Sequence, residues 1–165
     1  MIHLALASLL VAIGLGNTGE ILNNRDFENK ENNMTGWTVS NGRSAIEDIA
    51  PAHPGNPNYL TVYSSAGTVV SNDCNGSFEV RQGEIFDFNI YVNPSKKGKM
   101  VVFIIDENGE VIGGNTFRVW NGGWKGYKCS IQVNKSSGNC SIDIVPPMGK
   151  VSIDAASMVS KDNFK

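Results

Sequence analysis

The sequence predicts an all-β protein, a β-sandwich of two antiparallel sheets with roughly eight to ten strands. Three observations predict it. Apolar residues recur at every second position in several runs between residues 59 and 158, such as 59–63, 84–93 and 127–134, the period of a strand with one face buried. Strand-like runs follow one another at about the eight- to twelve-residue spacing of sandwiches and barrels. Clusters of Gly, Asn, Pro and Ser punctuate them, and no segment after residue 20 carries a helical apolar stripe of useful length. The chain divides at 19/20, with a single module over 20–165 that contains neither repeat nor linker.

In chain order, residues 4–15 (LALASLLVAIGL) form an apolar run preceded by His3 but by no Lys or Arg. Its length suits an export signal and is short for a bilayer span. Residues 1–19 are therefore read as a signal peptide of a secreted protein, or else as a non-native start that packs on the domain. Residues 59–63 (YLTVY) and 84–93 (EIFDFNIYVN) alternate cleanly. Residues 100–106 are almost wholly apolar, as in a strand in the middle of a sandwich, and Asn108-Gly109 supplies the positive-φ turn of a hairpin. Strands at 115–120, 127–134, 140–145 and 151–158 follow, separated by NGG, SGN and PPMG.

Composition excludes several classes of function. Fourteen Lys and Arg against 16 Asp and Glu give a net charge of −2, so no field draws in nucleic acid or an acidic membrane. Three Cys and two His form no CxxC or HExxH, and GxxxxGK[ST] is absent; no transition-metal or P-loop site is written here. Cys129 and Cys140 fall on successive predicted strands and either bridge or stay free.

Alternation sorts the faces. With Phe86, Phe88, Ile90 and Val92 inside, Asp87, Asn89, Tyr91 and Asn93 point out. By the same parity Arg118 and Trp120 lie outside Phe117 and Val119, and Tyr59 and Tyr63 outside Leu60 and Val62. An outer face that mixes aromatic rings with amides, a carboxylate and Arg suits a sugar: rings cover its C–H patches, and polar groups meet its hydroxyls. Each ring has the alternative of strand-pair or core packing. The expected binding set is Tyr91, Trp120, Asp87, Asn89, Arg118, Tyr59 and Tyr63.

Residues 23–28 (NNRDFE) followed by Gly36-Trp37, Trp124-Lys125-Gly126-Tyr127, and residues 149–158 (GKVSIDAASM) together carry a family signature. In order and spacing they resemble the opening, late and closing motifs of carbohydrate-binding modules of families 4, 9 and 22. Residues 21–28, 56–60 and 160–165 (SKDNFK) resemble, more narrowly, the module attached to family 51 α-L-arabinofuranosidases. The resemblance implies a jelly-roll sandwich, acting as a monomer, that binds plant cell-wall polysaccharide in a concave cleft and accompanies a glycoside hydrolase catalytic domain. It implies a structural Ca2+ held by Glu28 and Asp154 with the carbonyl of Lys30, oxygen donors that would staple the two ends of the module. It also implies that Trp37 and Trp124 are packing residues; Tyr127 shares the parity of Cys129 and Ile131 and stays open.

Catalysis is not expected. Glycoside hydrolysis needs two carboxylates flanking one bond, whereas Asp106, Glu107 and Glu110 surround a turn and Asp87 stands among amides. His3 and His53 have no Ser or Cys elbow beside them. The alternative to a sugar-binding module is an accessory domain that packs on a catalytic barrel and binds nothing.

Overall fold

The computed structural model describes residues 20–24, 27–28, 34–48, 58–74 and 78–161. Expectations placed on residues 4–15, on Lys30 and on His53 lie outside the described residues. Ten strands form: β1 (Trp37–Ser40), β2 (Arg43–Glu47), β3 (Tyr59–Ser64), β4 (Val69–Asn72), β5 (Ile85–Pro94), β6 (Gly98–Asp106), β7 (Val111–Val119), β8 (Lys125–Gln132), β9 (Cys140–Val145) and β10 (Gly149–Ser160). They make two antiparallel sheets, ordered β1-β4-β9-β6-β7 (first sheet) and β2-β3-β10-β5-β8 (second sheet). The predicted sandwich is the observed one. β1, β2 and β4 carry little sequence signal, because they are only four or five residues long and β1 and β2 are sheet edges.

The core lies where the alternation puts it. Met100, Val102 and Ile104 of β6 and Ile142 and Ile144 of β9 meet Phe86, Phe88, Ile90 and Val92 of β5 and Val151 and Ile153 of β10, all essentially inaccessible. The opening segment is tied into this core. Phe27 packs on Trp37 with ring centroids 5.2 Å apart, and the Trp37 indole N–H donates to the Asn24 carbonyl at 2.9 Å. The buried Asn72 amide accepts from the Asn23 N–H at 3.0 Å and donates to the Asn23 carbonyl at 2.9 Å. Trp37 is therefore core, as expected.

The β6–β7 hairpin explains the carboxylates around it. Gly109 has φ 79°, the positive-φ conformation that the Asn108-Gly109 turn requires. The buried Asp106 accepts the N–H groups of Asn108 and Glu110 at 2.9 and 2.8 Å and the Lys135 ammonium at 2.9 Å. The Lys135 bond and these backbone donors hold its pKa down to about 2. Asp106 is thus a turn anchor. Because its pKa is lowered below the unfolded value of about 4, its contribution to stability is present above that value and is lost as pH falls toward about 2. We expect Asp106→Asn to lower Tm at neutral pH and to flatten the fall of Tm between about pH 4 and pH 2. Thermal melts across that range check it; an unchanged slope would mean the anchor does not titrate as described.

The three cysteines are free. Cys129 lies on β8 in the second sheet and Cys140 begins β9 in the first, so the strands that carry them do not pair and no bridge joins them. Burial pushes the Cys74 thiol up to about 12 and the Cys129 thiol up to about 11, and raises that of Cys140. With so little thiolate at pH 8, a thiol reagent such as 5,5′-dithiobis(2-nitrobenzoate) is expected to label the native protein far more slowly than the denatured one. Rapid native labelling of any of the three would contradict the packing.

Candidate functional site

Pairing assigns each outward residue to one of two opposite faces, and this divides the expected binding set. Tyr59, Tyr63, Asp87, Asn89 and Tyr91 belong to β3 and β5, on the second sheet. Arg118 belongs to β7, and Trp120 directly follows it, on the first sheet. They do not form one cleft. Alternation fixes in or out strand by strand, but it carries no information on which strands hydrogen-bond together.

The outer face of the second sheet is closed at its centre. Thr61 and Asp154 are inaccessible, and Ser152 and Tyr59 are only 5% and 8% exposed. The Thr61 and Ser152 hydroxyls bond each other at 2.9 Å. The Tyr59 hydroxyl donates to Glu47 at 3.1 Å, and Lys150 reaches the same carboxylate at 3.3 Å. Burial opposes ionisation of Glu47, but hydrogen bonds from Tyr59, Lys150 and Thr61 together with the Lys150 charge outweigh it and lower its pKa. Trp124 is not core: its ring meets Tyr59 edge-on at 5.2 Å on this side of the sheet. Tyr91 is half-buried, with its ring over Gly126. At one end Asp87 accepts from the Ser130 hydroxyl at 2.7 Å and pairs with Lys161 at 3.1 Å, both of which lower its pKa. A shallow hollow of about 360 Å³ there is lined by Asp87, Asn89 and Lys128 among others. At the other end the Arg43 guanidinium lies 5.6 Å from the ring centre of the exposed Tyr63. Polar groups on this face are largely spent on one another.

The expected metal ligands also map to this half of the molecule. Glu28 accepts the Asn58 backbone N–H and side-chain amide, each at 2.9 Å. Asp154, opposite Tyr91, accepts the Ala155 N–H at 2.7 Å beside a bulge in β10. Among the described residues no three His, Cys, Asp or Glu side chains converge on a common point, and Lys30, the third expected ligand, lies outside the described residues.

The first sheet presents an open outer face. One row crosses it as Thr38, Ser71, Asp143, Phe103 and Gly114, by the pairings β1–β4, β4–β9, β9–β6 and β6–β7. Next to it lie Ser40 and Val69, paired across β1 and β4, and Val145, Val101 and Thr116, paired across β9, β6 and β7. All of these are half-buried or exposed. The Phe103 ring leans across Gly114: a Cβ at residue 114 would sit 2.8 Å from Phe103 Cδ1, so glycine is needed for the ring to lie along the sheet. Asp143 stands directly opposite Phe103, with Oδ1 accepting the Ser71 hydroxyl at 2.6 Å. An aromatic platform with aliphatic flanks, a carboxylate beside it and hydroxyls along its length can stack on a sugar ring and accept hydrogen bonds from its hydroxyls.

Arg118 sits at one end of this face, opposite Lys99, and Trp120 extends it, 47% exposed under the Lys97 ammonium. Tyr127 is settled as an inner residue: it stacks on Phe117 at 5.7 Å between the sheets, and its hydroxyl accepts the Trp120 N–H at 2.8 Å. Phe103 and Asp143 were not among the expected residues. A signal for Phe103 exists in the unbroken apolar run of residues 100–105 within β6: apolar side chains at Val101, Phe103 and Ile105, between the inward Met100, Val102 and Ile104, imply that the sheet carries apolar groups outward there.

No family model matches the sequence, and no curated protein matches it. Solved structures do match the fold. MgGH51 α-L-arabinofuranosidase, in an arabinose-bound structure, aligns with TM-score 0.76 and 16% identity over 87% of this chain. This chain spans about a quarter of that enzyme's length, 26%. The C-terminal family 22 carbohydrate-binding module of Clostridium thermocellum Xyn10B, whose cleft residues take part in ligand binding, aligns with TM-score 0.59 and 10% identity over 89% of this chain and 94% of its own. The Stig cyclase Fisc from Fischerella sp. TAU aligns with TM-score 0.61 and 12% identity over 86% of this chain and 97% of its own. The fold class is thus the sandwich of the carbohydrate-binding modules. The cyclase is a reminder that function has to be argued from the site.

Proposed function

We propose that this protein is a non-catalytic carbohydrate-binding module. It holds a plant cell-wall polysaccharide chain, xylan, arabinoxylan or β-glucan, along the outer face of the first sheet and keeps an associated glycoside hydrolase near its substrate. The observation that carries the reading is the open row of Phe103, Asp143 and Ser71, with Phe103 laid over Gly114. The alignment with a family 22 module supports it. Tethering raises local concentration without chemistry. A hydroxyl-rich ligand gives up good water contacts on binding, so affinity is expected in the micromolar to millimolar range.

Affinity electrophoresis of the folded chain in gels containing xylan, arabinoxylan, mixed-linkage β-glucan or hydroxyethyl cellulose tests the proposal. Retardation by at least one polymer is expected; free migration in all four would overturn it. Repeating the gels and thermal melts with EDTA tests the further proposal of a structural Ca2+ at Glu28 and Asp154. A lowered Tm in EDTA, restored by Ca2+, supports the ion, and identical melts argue against it.

A second reading has its own observation. Val69, Val145, Val101, Phe103 and Ile105 give the same face a half-buried apolar stripe, which a catalytic barrel could cover. In that case the isolated chain ignores every polysaccharide and binds the barrel of its enzyme instead.

A further inference from the structure

We infer that the saccharide bound on the first sheet carries a carboxylate, and that the corner around Trp120 is a subsite for a uronic acid residue. The inference rests on the reading that this face holds a saccharide, and it adds the chemical class of the ligand.

Lys99 and Arg118 stand directly opposite each other on β6 and β7. Like charges at that register are destabilising, so an uncompensated pair needs a reason. Lys97 adds a third cation, its ammonium 5.9 Å from the Trp120 ring centre. Together with Gly98, Val119 and Trp120 these residues line a hollow of about 260 Å³ that contains no carboxylate. Elsewhere among the described residues, Lys135 pairs with Asp106 and Glu110, Lys150 with Glu47, and Lys161 with Asp87, whereas none of the three cations at this corner has such a partner among the described residues. The acidic neighbour on this face, Asp143, lies opposite Phe103, four residues from Lys99 and so about 13 Å along β6. The face is therefore polarised, with a carboxylate acceptor in the middle and a basic corner at one end.

An exposed indole beside three cations selects among anions. A free phosphate would leave the ring unused, and a polynucleotide needs a longer track of cations than a chain of net charge −2 offers. A uronate uses every part: its ring face lies on Trp120, and its carboxylate meets the Arg118 fork and the Lys99 ammonium.

The test compares one ligand with and without its charge. Glucuronoxylan oligosaccharides and the same oligosaccharides after reduction of the carboxyl to a primary alcohol are titrated into the full chain by calorimetry at low salt. The acidic form is expected to bind about tenfold tighter, with the difference shrinking in 0.5 M NaCl on the order of the screening that salt imposes. Lys99→Gln/Arg118→Gln, two exposed surface changes, is expected to erase the preference, so that the acidic and reduced forms bind the variant equally. Equal binding of both forms by the unaltered protein, or a preference that survives the double substitution, overturns the uronate subsite while the carbohydrate reading stands. Binding of neither form, with no retardation by any neutral polymer, overturns both. Displacement of the acidic oligosaccharide by a thymidine oligonucleotide at equal concentration would assign the corner to nucleic acid and also overturn the inference.

Discussion

Phe103→Ala is expected to abolish retardation by the polysaccharide that the unaltered protein binds, and to leave the fold intact. The ring is half-buried and faces outward on β6, so its removal opens no cavity in the core. What it removes is the platform on which a sugar's C–H face would stack. Loss of a central aromatic anchor costs about 2 kcal/mol, roughly thirtyfold in affinity, enough to take a weak module below detection in a gel. The companion variant decides between the two faces. Tyr91→Ala, on the second sheet, is expected to migrate with the unaltered protein in the same gel. The reverse result, binding lost with Tyr91 and kept without Phe103, would move the site to the second sheet and with it the reading of every residue on the first.

Trp37→Ala is expected to produce the largest loss of stability of any tryptophan substitution. Its side chain is 3% exposed, packs on Phe27 and holds the Asn24 carbonyl. Truncation leaves a cavity and frees the opening segment, for about 3–5 kcal/mol, which in a domain of this size is a fall in Tm of the order of 10 °C. Trp120→Ala, at a residue 47% exposed, is expected to leave Tm within about 1 °C. Melting curves followed by circular dichroism separate the cases. Near-equal Tm values for the Trp37 and Trp120 variants would mean that the opening segment is not anchored through the core.

Tyr91 and Trp120 both face outward, as alternation predicts, but on opposite sheets. β5 pairs with β10 and β8, while β7 pairs with β6, and strand-by-strand alternation carries no information on these partners. Trp124 went the other way: motif position suggested packing, but it folds over Tyr59 on an outer face. Tyr59, Thr61 and Ser152 show that a position can face outward and still be buried, which parity cannot distinguish.

By itself the sequence determined the fold class, most strands, the hairpin at Asn108-Gly109 and the membership of the core, because all of these follow from local periodicity and turn chemistry. Tertiary structure alone decided which outward residues share a face. It brought Asp143 of β9 opposite Phe103 of β6, and Lys99 opposite Arg118. Phe103 and Asp143 are 40 residues apart in the chain. Their meeting is set by how two sheets divide ten strands between them, a matter of global packing and loop closure that no local pattern encodes.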